Sequence, residues 1–198
     1  MPHRVVDHYE RNAEAFDAAR RDSFAERPWF DRFLLALPGG GHVLDLGCGA
    51  GEPVAGHLIG AGLHVTGIDA SAAMLERARA RFPDHLWIQS DMRSAAPVRR
   101  FHGVVAWDSL FHLPPAHQAG MIERMARWLE PGGALLFNTG SEADETIGEQ
   151  FGEPLYHASL TLADYRACFD RAGLIETAFA LSDPLAGGRT IWLARKGS

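Results

Sequence analysis

Val43-Leu44-Asp45-Leu46-Gly47-Cys48-Gly49-Ala50-Gly51 is the stretch that decides the fold. The apolar run His42 to Leu46 is short and is stopped by glycine, which suits a buried strand. Three glycines at every second position follow. They permit a sharp turn and let backbone approach a ligand closely. A dinucleotide fingerprint, GxGxxG, would need glycine at position 52, where Glu52 stands; the third glycine comes one residue early. The GK[ST] of a phosphate-binding P-loop is absent. Asp45 and Glu52 would repel a pyrophosphate, whereas a ligand carrying an ammonium or a sulfonium is favoured.

Outward from this loop, strands and helices alternate. Val5, Tyr9, Ala13 and Phe16 recur at helical spacing, and Pro28 opens a second apolar helix that Pro38-Gly39-Gly40-Gly41 ends. Leu63–Ile68, His85–Gln89, Phe101–Trp107 and Ala134–Asn138 read as further strands. Helices fit between them: one from Pro53, one capped by Ser71, one from Pro114-Pro115 to Trp128. Residues 140–160 read as a loop. Thr161 caps a helix that Gly173 ends, and Leu174–Leu181 with Arg189–Arg195 form a closing strand pair. Such alternation implies a parallel sheet of βαβ units, with ligands outside the carboxyl ends of the strands.

Composition narrows the classes. The chain has 198 residues, a formal charge of −6 and 46% hydrophobic residues, which fits a single globular α/β domain over 1–198. The acidic balance argues against a nucleic-acid partner. Of the basic residues only Lys196 is lysine, two positions from the end, so lysine Schiff-base chemistry is excluded. Cys48 and Cys168 form no CxxC, which leaves neither a disulfide framework nor a zinc site. The histidine pairs His3/His8 and His112/His117 are poorly spaced for a metal, so none is expected. MPHRVVDHYERN lacks the apolar core of a secretory signal, and no apolar stretch is long enough for a membrane span; a cytoplasmic protein is the expectation.

DLGCGAG (residues 45–51) resembles motif I of the class I S-adenosylmethionine-dependent methyltransferases. HVTGIDAS (64–71) resembles their second motif, QSDM (89–92) the segment after strand three, and Pro131-Gly132-Gly133 the turn before strand five. The resemblance implies a Rossmann-like, seven-stranded fold: a mostly parallel sheet, helices on both faces, an antiparallel last strand and an N-terminal helical cap over residues 1–38. It also implies S-adenosylmethionine as cofactor and S-adenosylhomocysteine as product. Asp45, Gly47, Cys48, Gly49 and Gly51 would then form the cofactor loop. Asp69, with Ala70 beside it, would bind the ribose hydroxyls, a carboxylate at a strand end being able to accept two bonds from a diol. The other reading of Asp69 is an acid at a helix N-terminus. Asp91 would meet the adenine amino group, with Met92 beside the ring; otherwise Asp91 is a turn acid.

The loop Ala106-Trp107-Asp108-Ser109-Leu110-Phe111-His112-Leu113 lies where the family places the transferable methyl. It departs from the [DN]PP[YF] pattern of many enzymes that methylate exocyclic or amide nitrogens. That departure and the negative charge leave an oxygen or nitrogen of a small molecule as the expected acceptor. His112 is the candidate general base, or else a loop histidine. Trp107 and Phe111 wall the pocket or pack the core, and Asp108 contacts cofactor or acceptor, or is solvated. Tyr9 and Arg20 resemble a Tyr…Arg pattern in which the guanidinium pairs with the methionyl carboxylate. Residues 140–160, with Tyr156 and His157 as candidate acceptor contacts, would be a lid. The alternatives are a non-catalytic cofactor-binding or partner subunit, and an NAD-dependent oxidoreductase on a similar sheet.

Overall fold

A computed structural model describes residues 4–197; His3 lies outside the described residues. Val5–Arg21 (α1) and Arg27–Leu34 (α2) precede the first strand. His42–Leu46 (β1), Val54–Gly60 (α3), His64–Asp69 (β2), Ala72–Arg81 (α4), Leu86–Gln89 (β3) and Phe101–Ala106 (β4) then alternate. Pro115–Trp128 (α5) and Leu129–Thr139 (β5) follow, then a hairpin of Asp144–Gln150 (β6) and Glu153–Ser159 (β7). Leu162–Ala172 (α6), Leu174–Asp183 (β8) and Arg189–Lys196 (β9) close the chain.

The main sheet has seven strands in the order β3-β2-β1-β4-β5-β9-β8. The first five pair in parallel, and β9 runs antiparallel to both β5 and β8. The expected fold class therefore holds, antiparallel last strand included. Chain order reverses between β1 and β4, and a crevice opens at such a switch point. The two-residue strand period divides β1 between two cores. Leu44 and Leu46 join Met121, Ile122 and Met125 of α5, whereas Val43 joins Phe30 and Phe33 of α2 and Leu58 of α3. Helices thus cover both faces, and the strand reads as a continuous apolar run for that reason.

Residues 140–160 depart from the loop expectation: β6 and β7 pair antiparallel from Asp144↔Ser159 to Gln150↔Glu153. Phe151 (φ 54°) and Gly152 (φ 74°) form the two-residue turn with both residues left-handed. Phe-Gly is not the usual Asn-Gly or Asp-Gly signal. β6 is also exposed along its length apart from half-buried Gln150, so it shows no apolar alternation.

Polar and ionic contacts hold α1 against α4. Ser71 caps α4 by accepting the Met74 N–H at 3.2 Å, and its hydroxyl donates to Glu10 of α1 at 2.6 Å. Glu10 also accepts the Ala73 N–H at 3.2 Å. Arg81 of α4 grips Asp17, donating to Oδ1 at 2.6 Å, and holds that carboxyl below its ordinary range. Far from the cap, Trp192 anchors the α5–α6 side. It is fully buried, stacks on Phe137 at 8° between planes, and donates its indole N–H to Thr139 at 3.1 Å. Trp192→Ala is expected to cost about 3–5 kcal/mol in urea unfolding; a cost under about 1 kcal/mol would remove Trp192 from the centre of that core.

Candidate active site

The turn after β1 uses its glycines as glycines. Gly47, Gly49 and Gly51 have φ of 73°, 53° and 85°, the left-handed region where a side chain is strained. A Cβ on Gly47 would stand 2.4 Å from the Ser109 Cβ. The turn ties three strand ends together. Gly47 N–H and Cys48 N–H both donate to the Ile68 carbonyl, at 2.7 and 3.2 Å, and the Ser109 hydroxyl donates to the Leu46 carbonyl at 2.7 Å. Gly51 faces away from the crevice, toward Phe82 and Trp87. Gly47→Ala should destabilise the chain by about 1–3 kcal/mol or more, combining strain and overpacking. A thermal melt superimposable on that of the unsubstituted chain would contradict this account of the turn.

Above the turn lies a cleft of about 1150 Å³, partly open to solvent. Asp45, Gly47, Cys48 and Gly49 form its floor, Asp69 and Ala70 one end, and Asp91 with Met92 a flank. Trp107, Asp108 and His112 come from the segment after β4, and Tyr9 and Arg20 reach in from α1. These residues, remote in sequence, are brought together as expected. Phe111, Tyr156 and His157 are not: they do not line the cleft. The Phe111 and His157 rings lie 4.8 and 5.0 Å from the His112 ring, and Tyr156 contributes its carbonyl to His112.

The cleft acids are treated differently. Asp45 is 2% exposed, and its Oδ2 has no partner among the described residues. Burial, aided by the nearby Asp69 charge, pushes its carboxyl up to about 7. Asp69 accepts the Gly49 and Ser71 N–H groups, at 2.9 and 2.8 Å, on different oxygens. Each oxygen keeps a further lone pair. Burial raises the Asp69 carboxyl, and those N–H groups oppose the rise. Asp91 is held by Arg93 at 2.6 Å, which keeps it below the ordinary range. Asp108 is gripped by Arg189 at 2.7 and 2.8 Å and by Asn138 at 2.8 Å. Trp107 Nε1 is a second buried polar atom of the cleft without a partner among the described residues. Cys48 is buried, which raises its thiol well above the ordinary value and leaves it an unreactive filler.

His112 is engaged on both nitrogens. Nδ1 meets the Tyr156 carbonyl at 2.8 Å, and a carbonyl can only accept, so Nδ1 carries the proton. Nε2 therefore accepts the Tyr9 hydroxyl, also at 2.8 Å. Burial pulls the imidazole down to about 4, so it is neutral at pH 7. Arg20 pairs with Glu26 and lies 3.7 Å from Asp108. Arg189, Asn138 and Glu26 had escaped the sequence reading. Asn138 had a signal, a polar residue in the apolar run of β5. Arg189 had none, being 81 residues from the acid it holds. Among the described residues, no group of three or more His, Cys, Asp or Glu is placed to hold a metal, and no helix is long and apolar enough to cross a membrane.

A family model described as "Methyltransferase domain" matches residues 43–133, from β1 to the turn within β5. A trans-aconitate 2-methyltransferase from Methylobacterium nodulans is 35% identical over 162 residues, 75% of this chain and 60% of that protein. A 27-O-demethylrifamycin SV methyltransferase from Amycolatopsis mediterranei is 32% identical over 156 residues, 71% of this chain and 56% of that one. The chain thus spans little more than half the length of these curated relatives. A SAM-bound amino pentose methyltransferase from Micromonospora echinaspora superposes with a TM-score of 0.73 at 20% identity, covering 92% of this chain and 97% of that one. A magnesium protoporphyrin IX methyltransferase from Synechocystis, with SAH bound, gives 0.74 at 20% identity, covering 99% of each. Sheet order, glycine turn and strand-end acids agree with these matches: residues 43–133 match the methyltransferase domain, and the chain has the fold of the class I S-adenosylmethionine-dependent methyltransferases.

Proposed function

We propose that the chain binds S-adenosylmethionine in the cleft and moves its methyl group to an oxygen or nitrogen of a small-molecule acceptor. The observation that carries this reading is the buried Asp45 oxygen, which has no partner among the described residues and lines the cleft beside a glycine turn. An orphaned buried carboxylate is costly, and a cationic ligand offsets that cost. A dinucleotide pyrophosphate would add negative charge where Asp45, Glu52, Asp69, Asp91 and Asp108 already stand.

The residues present fit the cofactor part by part. Asp69 has lone pairs left for a ribose diol, and Asp91 with Met92 suits an adenine edge and face. Asp45 and Asp108 suit an ammonium, and Arg20 a carboxylate, in exchange for its present partner Glu26. When bound, the cofactor supplies an electrophilic methyl carbon on a sulfonium. What the chain then adds is mainly alignment and exclusion of water. Trp107, Met92 and Phe16 give the cleft apolar walls. His112 serves as a base only through Tyr9: the acceptor's proton would pass to the Tyr9 oxygen as the Tyr9 proton passes to His112 Nε2.

The cap and the β6–β7 hairpin form a two-part lid in this reading. Glu153 meets Arg11 at 2.7 Å and His8 at 3.2 Å, joining hairpin to α1. The relatives' names give rifamycin and trans-aconitate, and the neighbours' a sugar and a porphyrin; what these share is small size, which supports a small acceptor. A cytoplasmic location and the lack of a nucleic-acid partner belong to the same proposal. Binding without turnover is a second reading, favoured by one observation: His112 is already satisfied on both nitrogens.

Calorimetry tests the first reading. S-adenosylhomocysteine should bind saturably, and NAD should not; saturable NAD binding without S-adenosylhomocysteine binding would overturn the proposal. Asp69→Asn should weaken S-adenosylhomocysteine by about tenfold, the worth of a charge-assisted bond. An unchanged affinity would take Asp69 out of the site.

A further inference from the structure

Asp108 occupies a left-handed backbone conformation, which aspartate tolerates better than most residues but still at a cost. Its φ is 49°, left-handed, at a cost of about 1 kcal/mol or more. It stays there because its surroundings over-determine it. Its N–H donates to Asn138 Oδ1 at 2.7 Å, and the Asn138 amide donates back to Asp108 Oδ1 at 2.8 Å. Arg189, at the start of β9, closes the arrangement with a two-pronged grip: Nε to Oδ1 at 2.7 Å and Nη2 to Oδ2 at 2.8 Å. Its remaining Nη1 donates to the Ala186 carbonyl at 2.8 Å, which fixes the guanidinium in turn.

Position separates the partners. Asp108 lines the cleft, whereas Arg189 and Asn138 lie outside its lining. Arg20, which does line the cleft, is 3.7 Å from Asp108 Oδ2. A carboxylate and a guanidinium side by side complement the ammonium and carboxylate of an α-amino-acid headgroup. A half-buried ion pair also contributes little net stability compared with well-packed apolar residues. Stability alone is therefore a poor reason for this pair.

We infer that Arg189 is a positioning residue: its grip holds the Asp108 carboxylate, in its left-handed turn, against the place where the amino-acid headgroup of the cofactor lies. The inference rests on the cofactor reading above. Burial alone would raise the Asp108 carboxyl, and the Arg189 guanidinium reverses this, keeping the acid below its ordinary range and charged toward an ammonium.

The test compares two probes, S-adenosylhomocysteine and 5′-methylthioadenosine, which lacks the headgroup. Arg189→Lys keeps the charge but loses the fork. It should weaken S-adenosylhomocysteine by about tenfold and leave 5′-methylthioadenosine within about twofold. Equal weakening of both probes means a merely structural role and overturns the inference, as does no change in either. Asp108→Asn, which keeps the shape, should lose S-adenosylhomocysteine affinity to the same extent, with no further loss when Arg189→Lys is added. Additive losses overturn the inference even if one variant is poorly folded alone. Failure of the unsubstituted chain to bind S-adenosylhomocysteine would instead refute the cofactor reading, and the inference with it.

Discussion

A parallel strand buried on both faces must end in a turn that no side chain obstructs, and at Gly47 this condition shapes everything above it. The Ser109 Cβ stands where a Gly47 Cβ would be, and the Ile68 carbonyl takes two N–H groups from the turn. One glycine therefore locks the ends of β1 and β2 to the segment after β4. Because the three ends are locked, the acids that finish them, Asp45, Asp69 and Asp108, face one cleft. Had the turn been wider, these carboxylates would have dispersed into solvent.

Several acids crowded together repel one another, and the protein manages each in its own way. Arg93 and Arg189 neutralise Asp91 and Asp108, and backbone N–H groups satisfy Asp69. Asp45 is left without a cation, and burial makes its ionised form costly. A cleft of this kind favours a ligand that brings positive charge to Asp45 and hydrogen-bond donors to Asp69. The cap adds the complementary group. Arg20 is borrowed by Glu26 and Asp108 and is available to an anionic ligand group that outcompetes them.

Much of this was legible in the residues, and unevenly so. β1 was read with its observed ends because glycine bounds it sharply. The Ser71 cap and the Gly173 stop followed from local chemistry, whereas the antiparallel last strand followed from the family resemblance. The β6–β7 hairpin was missed because an exposed, acidic strand and a Phe-Gly turn look like a loop; its order comes from His8 and Arg11 on a distant helix. Phe111, Tyr156 and His157 sit in the expected region, yet they surround His112 instead of the cleft. No residue spacing encodes side-chain direction there. Arg189 shows the same limit: an ion pair across 81 residues leaves no local trace.

In the proposed function Asp45 is a buried acid kept for a cationic ligand, and its own titration decides whether it is. With ¹³C-labelled aspartate, the Asp45 carboxyl should titrate near the value of about 7 in the free chain. With S-adenosylhomocysteine bound it should stay ionised well below that pH, because an adjacent ammonium favours the charged form. A free-chain titration in the ordinary carboxylate range, or one that S-adenosylhomocysteine leaves unmoved, would contradict the account.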